Sequence, residues 1–281
     1  MISETINKIV AEPIMEYYGF SKLPFPKIAD PRQAFLYPEY VKKIKHLEQI
    51  LLTREIGVVV GEAGTGKTSL FFSFKNAAIE QSFRVIEVLE PSQKKRELYR
   101  SISQGLGVNV TVQGADALKV VNLMKYSYLE SNRPNLLLID EAHNLSVQCL
   151  EELRIMTNLT TRNEPLLALV LFGQPLLASN LKSPAMLSLA QRIHVWQTMN
   201  CLNNEDALGY IDWQLNKSGG NNTIFTEGTK KMLVRRAKGN ARMIGRISWE
   251  CLYQGFVDQV ETITEEFFSF VCQNLPPHLV N

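Results

Sequence analysis

Eight consecutive residues, Gly61-Glu62-Ala63-Gly64-Thr65-Gly66-Lys67-Thr68, restrict this chain more than any others. The apolar run Ile56, Val58, Val59, Val60 precedes them, and Ser69-Leu70-Phe71-Phe72-Ser73-Phe74 follows with helical character. Strand, glycine-rich loop and helix in that order form the setting that a phosphate-binding loop requires. Gly61, Gly64 and Gly66 allow a tight turn and a close approach of backbone to an anion. Successive N–H groups and the start of the helix then point at phosphates. Lys67 supplies positive charge near the β- and γ-phosphates, and the Thr68 hydroxyl suits a magnesium ion. A glycine turn with a chance Lys-Thr is the alternative, and the match at all fixed positions and both flanks speaks against it.

A second stretch, Asn135-Leu136-Leu137-Leu138-Ile139-Asp140-Glu141-Ala142-His143, reads as a strand buried on both faces of a parallel sheet. It ends in two carboxylates at the carboxyl edge, where open α/β sheets hold their ligands. Asp140 is then the acid expected to hold Mg²⁺ through water, and Glu141 the residue expected to orient and deprotonate an attacking water. Together the two stretches specify a nucleotide and Mg²⁺ as ligands and nucleotide hydrolysis as the activity.

The 281 residues suffice for one large domain or two modest ones, and the formal charge of +2 gives no global basic field. Nucleic-acid binding would need a local patch or many assembled copies. Cys149, Cys201, Cys251 and Cys272 are scattered, as expected of reduced, mostly buried thiols in a cytoplasmic protein. His46, His143, His194 and His278 have no metal-ligand spacing. No apolar stretch approaches a membrane span, and the start is not a signal peptide, so no membrane association is expected.

In chain order, Ile6, Ile9, Val10, Ile14 and Met15 predict a short helix over residues 1 to about 20. A segment rich in proline and aromatics follows, through Pro24, Pro26, Pro31 and Pro38. It is a loop packed near the nucleotide base or a plain packing loop. A helix is expected through Tyr40 to Leu51, a strand over 84–89, helices over 98–106 and 117–129, and a helix over 147–158. A strand over 166–172 ends in Gly173-Gln174-Pro175. A helix over 186–193 carries Arg192, and Ile193 to Trp196 is the last core strand. Beyond Asn200 four helices are expected, over 202–215, 226–236, 241–257 and 264–274. The domains read as 1–40, an N-terminal helix and aromatic segment; 41–199, an α/β nucleotide-binding core; and 200–281, a helical lid.

With these parts in order the chain resembles the AAA+ ATPases, and among them the ExeA/GspA-type group. Tyr18-Gly19-Phe20, Pro24-Phe25, Asp30-Pro31 and Phe35-Leu36-Tyr37 resemble that group's opening motif. Phe172-Gly173-Gln174-Pro175 is similar to its sensor 1 strand end, and Leu189-Ala190-Gln191-Arg192-Ile193 to its arginine-finger segment. Gly239-Asn240-Ala241-Arg242-Met243-Ile244 is similar to sensor 2, with Ala241 in place of the usual proline. The resemblance implies a P-loop NTPase core, a parallel α/β sheet, with a C-terminal all-helical lid. It implies that Gln174 touches the γ-phosphate or the water, that Arg192 reaches a neighbouring subunit's nucleotide, and that Arg242 reports nucleotide state to the lid. An arginine acting in trans implies a homo-oligomer, a ring if the contacts close and a helical filament if they do not.

Two branches share this ATPase. The secretion branch, acting on protein partners in secretion or envelope assembly, carries a membrane span and a peptidoglycan-binding region after it. The other resembles transposon-encoded TniB/TnsC-type regulators, functionally akin to the phage Mu B protein. A short soluble chain fits the second, which implies duplex DNA, a transposase and targeting proteins as partners. Lys94, Lys95, Arg96 and Lys119 are the candidate DNA contacts, or else a solvated helix face. An ATP-binding module without turnover is a third reading, against which Glu141 and Arg192 stand.

Overall fold

The computed structural model describes residues 11–26, 33–161 and 164–276. The expected helix positions Ile6, Ile9 and Val10, and the Asp30-Pro31 pair, lie outside these residues. The chain forms two compact units, Leu36–Asn200 and a unit in which the described residues up to Phe35 join those from Cys201 onward.

The first described helix, α1, covers 11–17. In the α/β unit the elements run α2 (Pro38–Leu47), α3 (Gln49–Thr53), β1 (Ile56–Gly61), α4 (Lys67–Glu80), β2 (Arg84–Val88), α5 (Lys95–Gly105), α6 (Ala117–Ser131), β3 (Asn135–Ile139) and α7 (Val147–Met156). A two-stranded antiparallel pair, β4 (Thr160–Thr161) and β5 (Glu164–Pro165), precedes β6 (Leu167–Gly173), α8 (Pro175–Leu181), α9 (Leu187–Ala190) and β7 (Ile193–Met199). The main sheet is parallel with order β2-β3-β6-β1-β7. Its register sets Val58 beside Leu171 and Leu137 beside Leu169. Every residue of β1, β3 and β6 is buried, as their unbroken apolar runs require, because helices cover both faces. The edge strand β7 alternates instead, burying Val195, Gln197 and Met199 while His194, Trp196 and Thr198 face solvent.

Three elements depart from expectation. The helix expected over 186–193 is a 3₁₀ turn, Pro184–Met186, followed by the single turn α9. It ends at Ala190, because Ile193 already pairs with Ile56 in the sheet. Arg192 therefore lies in the turn before β7, not on a helix. Helix α8 was hidden because Gln174-Pro175 reads as a strand end; Pro175 sits at a first-turn position, where its missing N–H costs nothing. Strand β7 extends to Met199, past the polar Gln197 and Thr198 that obscure its pattern.

The helical unit contains α10 (Asn204–Lys217), α11 (Glu227–Ala237), α12 (Ala241–Val257) and α13 (Glu265–Gln273). Asn203, Thr226, Asn240 and Thr264 cap these helices through side-chain oxygens that accept first-turn amides. Ile211, Leu215, Phe225, Leu233, Ile244, Leu252 and Phe268 form the core. Tyr18, Phe20 and Phe25 of the aromatic segment are buried in that same core, and the Tyr18 hydroxyl donates to the Val260 carbonyl at 2.8 Å. Among the described residues no helix is long and apolar enough to cross a membrane.

Candidate nucleotide-binding site

The glycine loop leaves β1 at Gly61 and enters α4 at Lys67. Gly64 and Gly66 adopt φ of 84° and 90°, conformations that side chains disfavour. Gly61 is required for space: a Cβ there would lie 2.5 Å from the Met199 carbonyl oxygen and 2.8 Å from Thr65 Oγ1. Thr65 Oγ1 donates to the Glu62 carbonyl at 2.8 Å and fixes the turn. Lys67 is buried, and its Nζ donates to the carbonyls of Gly61 and Glu62, each at 2.8 Å. The loop thus gathers an ammonium group and the start of a 14-residue helix at the carboxyl edge of the sheet. Glu62, Ala63 and Thr68 lie along the same turn, with Glu62, Ala63 and Thr68 exposed.

Across β6 from this loop, β3 leads directly into Asp140, which is 8% exposed. Asp140 Oδ1 accepts the Glu141 amide at 2.9 Å, and Oδ2 takes part in no hydrogen bond or ion pair among the described residues. Burial pushes the Asp140 carboxyl above its ordinary range, the amide bond opposes this, the Glu141 charge adds to it, and Lys67 and His143 pull it back. A desolvated carboxylate with an oxygen to spare is a donor suited to a hard divalent cation.

Glu141 stands in the left-handed region at φ 49°. That turn directs its carboxylate to Gln174 and His143: Gln174 Nε2 donates to Glu141 Oε2 at 3.4 Å, and His143 Nδ1 lies 3.3 Å from the same oxygen. The Gln174 backbone N–H in turn donates to His143 Nδ1 at 3.3 Å. Gly173 permits this close approach of β6 to the turn after β3, since a Cβ there would lie 3.2 Å from the His143 amide nitrogen. Sequence spacing reads Asp140, Glu141 and Gln174 but passes over His143, whose partners meet only once β6 lies beside β3.

The remaining candidates are placed as follows. Arg192 is exposed and its guanidinium donates to the Asn158 side chain. Arg242 is an exposed residue of the first turn of α12, in the helical unit, with its amide capped by Asn240. Lys94, Arg96 and Lys119 are exposed, with Lys94 3.8 Å from Glu97. Lys95 differs: it is half-buried and donates to Glu152 at 2.7 Å, so its charge is already answered.

Comparison with known proteins agrees with this geometry. The family described as "AAA domain" matches residues 50–181. General secretion pathway protein A of Aeromonas hydrophila is 28% identical over 245 residues, 86% of this chain and 44% of the relative. The ATP-dependent target DNA activator B of Escherichia phage Mu is 26% identical over 220 residues, 76% of this chain and 65% of the relative. The matches span less than two thirds of the length of either relative. Among solved structures, Cdc6p from Pyrobaculum aerophilum superposes with a TM-score of 0.69 at 16% identity, over 89% of this chain and 70% of that one. The ORC2 protein of Aeropyrum pernix gives 0.68 at 15% identity, over 88% and 70%. A parallel five-stranded sheet carrying a glycine phosphate loop on its second strand from the edge, with these likenesses, gives the chain the P-loop AAA+ fold.

Proposed function

We propose that this protein is an ATPase that binds duplex DNA without strong sequence preference, assembles on it as a homo-oligomer, and regulates transposition by passing target sites to a transposase. The observation that carries the hydrolytic part is the meeting of Asp140, Glu141, Gln174 and His143 at the sheet edge, with Lys67 close enough to pull on the Asp140 charge. Lys67 and the loop amides hold the phosphates; Glu141 orients and deprotonates the attacking water; Gln174 fixes Glu141 and the water. Thr68 and Asp140 would hold Mg²⁺, which supplies charge neutralisation between the phosphates when bound. Arg192 acts on a neighbouring subunit's nucleotide and Arg242 reports the nucleotide to the helical unit.

The likeness to the phage Mu target DNA activator supports the DNA part. One observation favours a second reading: the secretion-pathway relative matches at higher identity and over more of this chain, which fits work on protein partners in secretion or envelope assembly. Negative-stain microscopy with duplex DNA separates the two. Rings or filaments on DNA with a slowly hydrolysed ATP analogue, and none with ADP, are expected. A protein that stays off DNA with both nucleotides would leave the secretion reading standing.

A further inference from the structure

Residues 227–246 hold seven basic side chains and one acidic one, a formal +6 within a chain whose total is +2. The rest of the sequence therefore sums to −4, and the positive charge is concentrated on α11 and the first half of α12. Two of the seven lie off the exposed face. Lys230 is buried and paired with Asp212 and Glu227, each at 2.7 Å, and Arg236 is half-buried. The other five, Lys231, Arg235, Lys238, Arg242 and Arg246, are exposed, and among the described residues none of their side chains forms an ion pair or hydrogen bond. The segment's one acid, Glu227, is already bound to Lys230.

The five are ordered. Lys231 and Arg235 stack at i, i+4 on α11, and Lys238 is the left-handed residue that caps the C-terminus of that helix, roughly 10 Å along the axis from Lys231. Arg242 and Arg246 stack at i, i+4 on α12. The turn Lys238–Gly239–Asn240 joins the two rows at a fixed corner, since a Cβ at Gly239 would lie 2.0 Å from the Leu202 carbonyl oxygen. Helix electrostatics does not explain Arg242 and Arg246, because cations near a helix N-terminus oppose its dipole.

We propose that this face of the helical unit is a contact for the phosphate backbone of duplex DNA, an inference that rests on the DNA-binding reading above. Each strand of the duplex offers a phosphate about every 3.4 Å of axis, so a row of about 10 Å faces several charges where an isolated phosphoryl group would engage one or two cations. A membrane-lying basic helix needs an apolar side to insert. Here Leu233, Val234 and Ile244, between the basic residues, and Ile247, next to Arg246, are buried in the core. The contact reads charge and not bases, which suits binding without sequence preference.

The test is a salt titration of duplex binding by the full chain with a slowly hydrolysed ATP analogue. Lys231→Gln, Arg235→Gln, Lys238→Gln and Arg246→Gln are combined, and Arg242 is left intact because of its proposed nucleotide role. Four lost phosphate contacts per subunit are expected to lower the slope of log K against log salt by about 3.6, with the affinity loss growing as salt falls. Analogue binding and thermal stability should be unchanged, and a variant exchanging Lys for Arg at the same four positions should keep the wild-type slope. Wild-type slope and affinity in the glutamine variant, while the wild type binds DNA, would overturn the helical-face contact and leave the DNA reading intact. Failure of the wild type to bind DNA would remove both. Unchanged DNA binding with loss of retention on phosphatidylglycerol vesicles would assign the face to lipid instead.

Discussion

Glu141 occupies a backbone conformation that costs a non-glycine residue on the order of 1 kcal/mol or more, and in return its carboxylate meets Gln174 and His143. Glu141→Gln should retain ATP binding and lose hydrolysis by about 100-fold or more, read as phosphate release; near-normal turnover would remove Glu141 from the chemistry. His143 Nδ1 accepts from the Gln174 backbone N–H and lies 3.3 Å from the Glu141 carboxylate, so the ring braces the turn that carries Glu141. His143→Ala should therefore lower kcat by about 10-fold while leaving nucleotide affinity in place; an unchanged kcat would reduce the histidine to packing. Asp140 and Glu141 were legible because a strand buried on both faces has a defined carboxyl end. Gln174 was legible as the polar residue at the end of another buried strand, and the histidine required the sheet order, which no local pattern encodes.

Strands β1, β3 and β6 were readable as elements because burial on two sides leaves unbroken apolar runs. The short helix α9 and the edge strand β7 were not, since pairing with β1 fixes where one stops and the other begins. The Lys95–Glu152 pair belongs to this scale too, tying α5 to α7. Burial pushes the Glu152 carboxyl upward, but hydrogen bonds from Lys95 and Tyr99 outweigh it and hold the group below its ordinary value. A depressed carboxyl stabilises the fold above its unfolded pKa, and that contribution is lost as pH falls through the folded value. Glu152→Gln should thus cost about 1–2 kcal/mol at neutral pH by chemical denaturation. The difference from wild type should close in acid; a constant gap would exclude ionisation as its cause.

For the whole molecule, a finger arginine acting in trans makes an arithmetic prediction. Glu141→Gln subunits bind nucleotide without turning it over and still present Arg192, while Arg192→Ala subunits keep Glu141 and lack the finger. In a head-to-tail assembly mixed one to one, about a quarter of sites combine an intact Glu141 with an intact neighbouring arginine. Each variant alone should be nearly inactive and the mixture should recover about a quarter of wild-type hydrolysis. No recovery in an assembled mixture would place Arg192 outside the shared site.

Met199 ends β7, and its carbonyl and Cβ block any side chain at Gly61, while its Cε lies 3.7 Å from where a Cβ on Gly66 would be. Two residues later the chain is in the helical unit. The same methionine is therefore the back wall of the glycine loop and nearly the last link before the chain departs from the sheet. The wall is made of a backbone carbonyl and the first side-chain carbon, so it does not depend on the length of the residue that stands there. Met199→Ala should accordingly leave ATP-analogue affinity near wild type, while Gly61→Ala, whose new methyl meets the same wall at 2.5 Å, should abolish it; weak binding by Met199→Ala would show that the thioether arm itself shapes the loop.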